Sequence, residues 1–205
     1  MKKHPSISRI LAVLQLVPLL FLCNLAQASV IHYQATLDGP SEAPSNLSPG
    51  IGLADVIVDD TANTMRVIVS FGGLLGGVTA SHIHAATAVA NTGTASVATQ
   101  TPSFIGFPTG VMSGSYDHTF DLTLASTYRA GYITSNGGTA ATAALALLSA
   151  MAAEKSYYNI HTTAFPGGEI RGFLRNVPDA ASTALLLALA LGAMGGFTRR
   201  QQLRN

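Results

Sequence analysis

The sequence predicts an all-β domain, an antiparallel β-sandwich or barrel with one inserted helix, and a hydrophobic targeting helix at each end. Short runs rich in β-branched residues alternate with Gly, Pro, Asn and Asp at close intervals, as in antiparallel sheets. Only residues 139–155, an Ala- and Leu-rich stretch after a Gly-Gly pair, have the composition of a helix inside the domain. The strands should therefore form the core.

The N-terminus has the layout of a secretory signal peptide. Lys2 and Lys3 precede an apolar segment over residues 10–22, and Ala26-Gln27-Ala28 supplies the small side chains of a cleavage site. We expect signal peptidase to remove residues 1–28, so that the mature chain begins at Ser29.

The C-terminus carries a second apolar run. Residues 180–197 contain no charged side chain, and at about 1.5 Å per residue a helix of that length would cross a bilayer core. Arg199 and Arg200 follow as a cytoplasmic stop. A permanent membrane anchor remains open, as does a helix packed on the domain, although the run lacks the polar stripe of a surface helix.

The tail also resembles a known sorting signal. Val177-Pro178-Asp179, then the hydrophobic helix, then Arg199-Arg200 is similar to the PEP-CTERM signal. The resemblance implies that residues 177–205 are a tail processed by an exosortase-type enzyme in a Gram-negative envelope. The protein would then be anchored only transiently in the inner membrane before it reaches the cell surface or the exterior.

The composition of the intervening body, residues 29–176, excludes two classes of function. Five basic and nine acidic side chains give it a formal charge of −4, without the basic patch that nucleic-acid binding needs. It has no cysteine, so there is neither a disulfide framework nor a thiolate metal site. About 150 residues suffice for one domain with one core.

Five strands are predicted before the helix. Residues 30–37 read as the first, and residues 53–58 and 65–71 form a β-hairpin around the Asp59–Asn63 turn. Residues 79–85 form the next strand and 111–124 the fifth. Between these two lies a long loop, 86–110, of the kind that is often functional or mobile. Tyr116, His118 and Phe120 share one face at period two, which places His118 in the core.

A closing hairpin follows the helix, with strands over residues 157–163 and 169–175. Phe165-Pro166-Gly167-Gly168 forms its turn, and we expect a positive φ at Gly167. Glu169 and Arg171 fall on one face of the last strand and are expected to form a surface or cross-strand ion pair.

Three histidines are the candidate metal ligands. His82 and His84 are two residues apart on a strand, so both rings leave the same face, and His161 lies on a later strand. Imidazole nitrogens at this spacing suit copper or zinc if the two strands are neighbours. The alternative is a structural role, in which the rings bond backbone carbonyls and fasten strands to loops. No nucleophile elbow, phosphate loop or metalloprotease motif occurs, so no enzyme is predicted.

Several motifs together resemble the CHRD domain, the module named after chordin. They are Leu37-Asp38-Gly39-Pro40-Ser41-Glu42-Ala43-Pro44, Thr79-Ala80-Ser81-His82-Ile83-His84, Tyr158-Asn159-Ile160-His161-Thr162 and Phe165-Pro166-Gly167-Gly168-Glu169-Ile170-Arg171-Gly172-Phe173-Leu174. The resemblance implies an extracellular β-sandwich over residues 29–176, immunoglobulin-like or superoxide-dismutase-like.

Two functions are therefore expected. The first is an exported, sorted module at the cell surface or in the extracellular matrix, non-catalytic, with exopolysaccharide as a possible partner. The second is a periplasmic or extracellular copper- or zinc-binding protein, related to redox chemistry, that uses the histidine strand. The targeting segments favour the first, and the histidine spacing favours the second.

Overall fold

The computed structural model describes residues 30–178. The predicted signal peptide, with its cleavage site at Ala28 and Ser29, lies outside these residues. So do Asp179, Arg199, Arg200 and the apolar run of the tail. Within residues 30–178, no helix has the length and apolar character needed to span a membrane.

The domain is an antiparallel β half-barrel or sandwich with few helices, which confirms the all-β prediction. Its strands are β1 (Val30–Asp38), β2 (Ile51–Asp59), β3 (Thr64–Gly72), β4 (Val78–Ala85), β5 (Gly114–Asp121), β6 (Ser156–Thr162), β7 (Ile170–Phe173) and β8 (Arg175–Asn176). The sheet order is β4-β6-β7-β1-β2-β3-β5, and β8 pairs with β1. One cluster of buried hydrophobic residues, all between residues 33 and 174, forms the core of the described part of the chain.

The predicted hairpin is the β2–β3 pair, which is antiparallel over its whole length. Alternation places Val56 and Val67 in the core, both fully buried. Asp59 sets the turn, because its Oδ1 accepts from the backbone N of Thr61 at 3.0 Å and of Ala62 at 2.8 Å. This is the Asx-turn chemistry that the sequence indicated.

The closing hairpin is the β6–β7 pair, and β6 also pairs with β4. The positive φ in its turn belongs to Gly168 (φ 129°), whereas Gly167 is not in the positive-φ region. The expectation for Gly167 is therefore wrong by one residue. Composition alone did not show which of two adjacent glycines takes the left-handed conformation.

Helix α2 (Ala140–Ala152) lies inside the predicted helical stretch, and a shorter helix, α1 (Ala130–Ser135), precedes it after a 3₁₀ turn at Ala125–Thr127. Thr139 caps α2 by accepting from Thr142 N at 3.1 Å. The helix buries Ala143, Leu147, Ala150 and Met151, one face at helical spacing.

The long segment between β4 and β5, residues 86–113, is packed rather than projecting. It satisfies the free edge of β4: Ile83 O accepts from Ala98 N at 2.9 Å, and Phe104 N donates to Ser81 O at 3.0 Å. Phe104 is buried against Phe120 of β5, with ring centroids 4.9 Å apart. The segment therefore fills the space between the two outermost strands.

His118 is exposed, so its prediction as a core residue is wrong. It shares a face with Tyr116 and Phe120, which are 8% and 4% exposed. Strand β5 is the last in the sheet order and has a ladder partner, β3, on one side only. A period-two pattern identifies a common face, but it does not show whether an outer strand is covered along its whole length.

Candidate metal centre

Strands β4 and β6 bring the three predicted histidines together. His82 and His84 project from one face of β4, while Ile83 between them is buried on the other. In the β4–β6 register His82 is opposite Asn159, and Ala80 is opposite His161. His161 is thus two residues along β6 from the partner of His82 and on the same face, and one nitrogen of each of the three rings lies within 4.8 Å of the others.

The second nitrogen of each ring faces a backbone carbonyl. His82 Nδ1 lies 2.8 Å from Pro102 O, His84 Nδ1 2.7 Å from Ala95 O, and His161 Nδ1 2.9 Å from Pro166 O. A carbonyl oxygen only accepts, so each Nδ1 carries the hydrogen and each Nε2 presents a lone pair. Backbone bonds therefore fix the same tautomer in all three rings, and this is the usual outer support of metal-ligating histidine.

The Nε2 atoms of His82 and His161 face each other, and each presents a lone pair. These two atoms are 3.1 Å apart. His84 Nε2 is buried and has no hydrogen-bond partner. Lone pairs that face one another in a buried site repel unless a cation or a proton lies between them. The arrangement therefore fits a bound metal ion better than a purely structural role, because without a cation the lone pairs of His82 Nε2 and His161 Nε2 would repel each other.

Burial keeps the rings in the neutral form that metals bind. It lowers the pKa of His82 to about 3, helped by the nearby His84, and it lowers the pKa of His84 to about 4. Burial also lowers the pKa of His161, against the opposing effect of its bond to Pro166. All three imidazoles are uncharged at neutral pH, so a metal need not displace a proton from any Nε2.

Tyr157 and Arg171 support His84 from outside the ligand set. The Tyr157 ring is stacked on His84 with centroids 4.6 Å apart and planes 7° from parallel. Its hydroxyl accepts from Ala95 N at 3.3 Å, beside the carbonyl that binds His84 Nδ1. The Arg171 guanidinium carbon lies 4.8 Å from the Tyr157 centroid. This packing leaves His84 little freedom to rotate away.

Sequence reasoning missed the role of Glu42. The residue is 7% exposed, its Oε2 lies 3.8 Å from Arg171 Nε, and its Oε1 is buried without a partner. Burial raises the pKa of Glu42 to about 7, against the opposing charge of Arg171. In the sequence Glu42 belongs to the Leu37–Pro44 motif that resembles the CHRD domain, but neither that motif nor the surrounding Ser-, Pro- and Gly-rich loop indicates a contact with Arg171.

The expected ion pair between Glu169 and Arg171 does not form. Glu169 is fully buried and accepts from Ser48 Oγ at 2.6 Å, Leu75 N at 2.6 Å and Thr162 Oγ1 at 2.5 Å. Arg171 instead contacts Glu42. Glu169 directly precedes β7 and Arg171 lies on it. The Glu169 carboxylate nevertheless binds hydroxyl and backbone donors from three segments and not the Arg171 guanidinium.

The remaining predicted functional residues are only partly described. Val177 is exposed, and its backbone N donates to His32 O at 2.8 Å, so the chain is still attached to β1 where the predicted sorting tail begins. Pro178 is the last described residue. The other sorting and cleavage residues lie outside the described range, and their roles stay predictions.

The comparison with known families agrees with the resemblance of the motifs. The model of the CHRD domain matches residues 33–174, which are most of the chain and include every strand except the first three residues of β1 and the short strand β8. This chain belongs to the CHRD family. No curated protein and no solved structure matches it significantly. The CHRD match indicates a β-domain of the extracellular or secreted kind, and it includes all three histidines.

The metal-free CHRD domain should lose stability in acid. His82 and His84 have lower pKa values folded (about 3 and about 4) than unfolded, so their contribution is complete above about pH 6.5 and is lost as the pH falls. Together they remove on the order of 2–3 kcal/mol per pH unit. Glu42, with its pKa raised to about 7, acts oppositely with about 1 kcal/mol per unit. We expect a net fall of about 1 kcal/mol per unit from pH 6 to pH 5.

Urea denaturation of the metal-free domain at a series of pH values measures this slope. The Glu42→Gln variant is the matched control, because it removes the opposing titration and should make the fall steeper. A free energy of unfolding that stays constant between pH 7 and pH 5 would contradict the burial of neutral histidines.

Proposed function

We propose that this protein is an exported CHRD module that binds one copper or zinc ion through Nε2 of His82, His84 and His161. The observation that carries the proposal is the orientation of the three rings. Each Nδ1 lies against a backbone carbonyl, the Nε2 atoms of His82 and His161 are 3.1 Å apart, the buried Nε2 of His84 has no hydrogen-bond partner, and one nitrogen of each ring lies within 4.8 Å of the others. Imidazole lone pairs that face one another in this way are what a metal cation requires as ligands.

The donor set favours copper or zinc over harder ions. Neutral imidazole nitrogen suits zinc and copper, whereas magnesium and calcium prefer oxygen ligands. Three protein ligands leave a coordination position for water or another molecule. His161 is partly exposed, while His82 and His84 are buried, so the ion would be reached from the His161 side. A bound ion would supply Lewis acidity, and copper would add one-electron chemistry.

Within this proposal the module acts by binding, and catalysis is not required. The N-terminal 28 residues direct export, and an exosortase-type enzyme processes residues 177–205 and releases the domain at the cell surface or into the matrix. The CHRD match supports a secreted location. Intact mass of protein recovered from its native envelope tests both processing steps: a mature N-terminus at Ser29 and loss of the tail are expected, and an uncleaved chain would contradict them.

Metal content tests the binding function. Purified protein should hold about one equivalent of copper or zinc. His82→Ala should weaken binding by more than about 100-fold, because loss of a ligand exceeds the 10–100-fold effect of losing an outer support. His118→Ala is the matched control, since His118 is exposed on β5 and outside the cluster.

Two measurements separate a ligand from a structural histidine. The thermal midpoint of the His82→Ala variant should approach that of the metal-free parent and should no longer rise when metal is added. Equal metal content in the parent protein and in the His82→Ala variant would contradict the proposed site. A loss of metal in His118→Ala as large as in His82→Ala would do the same.

A further inference from the structure

Four connecting segments meet at one end of the sheet. Asn46 Nδ2 donates to the main-chain O of Glu169 at 3.0 Å, and Leu75 N donates to Glu169 Oε1 at 2.6 Å. Leu74 N donates to Met112 O at 3.2 Å, which joins the next segment to these. We call this surface the apolar end, and it consists of residues 39–50, 73–77, 106–113 and 163–169 together with Ile51, the first residue of β2.

Large hydrophobic side chains project from the apolar end. Leu47 is 97% exposed, and Leu75, Met112 and Ile51 are each more than half exposed. Side chains of this kind are normally buried, and a single exposed one needs no explanation. Several of them on segments that touch one another form an exposed apolar patch, which marks a surface that contacts another molecule or a membrane.

The apolar end presents no exposed charge. Its four segments contain two charged side chains, Glu42 and Glu169, and both are buried. The connections at the opposite end of the sheet do carry exposed charges, such as Asp60 and Arg129. An apolar phase can therefore cover this end of the domain without removing a charge from water, which would be costly.

The projecting side chains are held in place from behind. Ser48 Oγ donates to Glu169 Oε1 at 2.6 Å, and Asn46 is bonded to the same residue, so both neighbours of Leu47 are fixed while its side chain stays outside. Little conformational entropy remains to be lost on binding. A protein partner would need pockets to receive such projections, and a second copy would present the same projections. A fluid bilayer deforms around them and imposes no such requirement.

The chain leaves the domain far from the apolar end. Val177 N donates to His32 O, near the start of β1, whereas Asp38 at the other end of β1 is opposite Ile51. At about 3.3 Å per residue, His32 and Asp38 are about 20 Å apart along the strand. The apolar end is therefore accessible whether or not the C-terminal tail is anchored.

We infer that the apolar end inserts into the surface of a lipid bilayer. Leu47, Leu75 and Met112 enter the acyl region, and the serine and threonine hydroxyls of the same segments lie among the headgroups. Elements that bind at this interface reach a depth of about 5–10 Å. Because exposed charges take no part, binding requires no anionic lipid and does not weaken as salt rises. The inference goes beyond the proposed metal function and does not depend on it.

Quenching by lipid tests this inference on the chain without its signal peptide, residues 29–205. This chain has no cysteine, so Leu47→Cys and Ala62→Cys each create one position for a fluorescent label. Ala62 is exposed in the β2–β3 turn at the opposite end of the sheet. The labelled proteins are held in nanodiscs, which accommodate the apolar tail, and are mixed with phosphatidylcholine vesicles that have brominated acyl chains. We expect quenching at position 47 and none at position 62, and equal or absent quenching would overturn the inference.

Co-sedimentation of unlabelled variants with the same vesicles completes the test. Leu47→Ser and Leu75→Ser should each weaken binding about 10-fold, because each removes a leucine from the acyl region. Leu145→Ser is the matched control, since Leu145 is an exposed leucine on α2, outside the apolar end, and binding should not change. Equal losses in Leu145→Ser and Leu47→Ser would overturn the inference. So would a dimer, detected by mass photometry without vesicles, that disappears in Leu47→Ser, because it would assign this surface to a second copy.

Discussion

Replacing Glu169 by alanine should cost about 3–5 kcal/mol of the free energy of unfolding, a large share of the 5–15 kcal/mol typical of a domain. The carboxylate is fully buried and binds donors from three separate segments, at Ser48, Leu75 and Thr162. Alanine leaves all three donors in a dry environment without an acceptor, and each such orphan costs about 1–3 kcal/mol. Urea denaturation of the metal-free protein measures the loss.

Glu169→Gln is the informative companion variant. The amide keeps the shape and one acceptor oxygen, but its NH₂ group must face a donor, so we expect a smaller yet clear loss. Asp55→Asn is the control, because Asp55 holds an exposed contact with Gln34 at 2.8 Å and should change stability by no more than about 0.5 kcal/mol. A loss of stability in Glu169→Ala no larger than that in Asp55→Asn would show that the hydrogen bonds to Glu169 from the three segments do not stabilise the fold.

Gly168→Ala should destabilise the domain by about 3 kcal/mol, the sum of two effects. Its φ of 129° is a conformation that a side chain resists. A Cβ there would lie 2.5 Å from Glu42 Oε1 and 2.8 Å from Asn159 Nδ2, so it would push apart two nearly buried polar groups beside the histidines. Since Pro166 O orients His161 from the same turn, we also expect weaker metal binding.

Gly167→Ala is the matched neighbour. A Cβ at Gly167 meets nothing within 4 Å, and its φ is not positive, so we expect a change within about 0.5 kcal/mol. Thermal or urea unfolding of the two variants side by side separates them. Similar losses in both would show that the turn, rather than the position of Gly168 against Glu42, limits stability.

The elements that the sequence predicted correctly are those whose signals are local. The β2–β3 hairpin follows from two alternating runs around the Asp59 turn, and α2 follows from an Ala-rich run after a Gly-Gly pair. The common face of His82 and His84 follows from the two-residue period of a strand. Their meeting with His161 needed the β4–β6 register as well, which no local pattern encodes.

The incorrect predictions concern residues whose burial and partners depend on segments far away in the sequence. His118 has the spacing of a core residue, but β5 is one of the two outermost strands of the sheet. Glu169 and Arg171 were paired by strand period, yet their partners come from the loops that contain Ser48 and Glu42. Glu42 itself was missed for the same reason. Loop conformations are set by tertiary contacts between segments far apart in sequence, and hydrophobic periodicity carries no information about them.

One stretch of chain serves two purposes. Residues 86–113 provide the Ala95 and Pro102 carbonyls that hold two imidazoles, and they also close the gap between the outermost strands. By mutual linkage, an ion that favours the docked arrangement raises the energy of opening this stretch by the same amount that docking contributes to the ion's affinity. In the proposed metal-bound state this stretch should therefore open less readily, and a protease or amide-exchange probe directed at residues 95–105 should report whether the ion is bound.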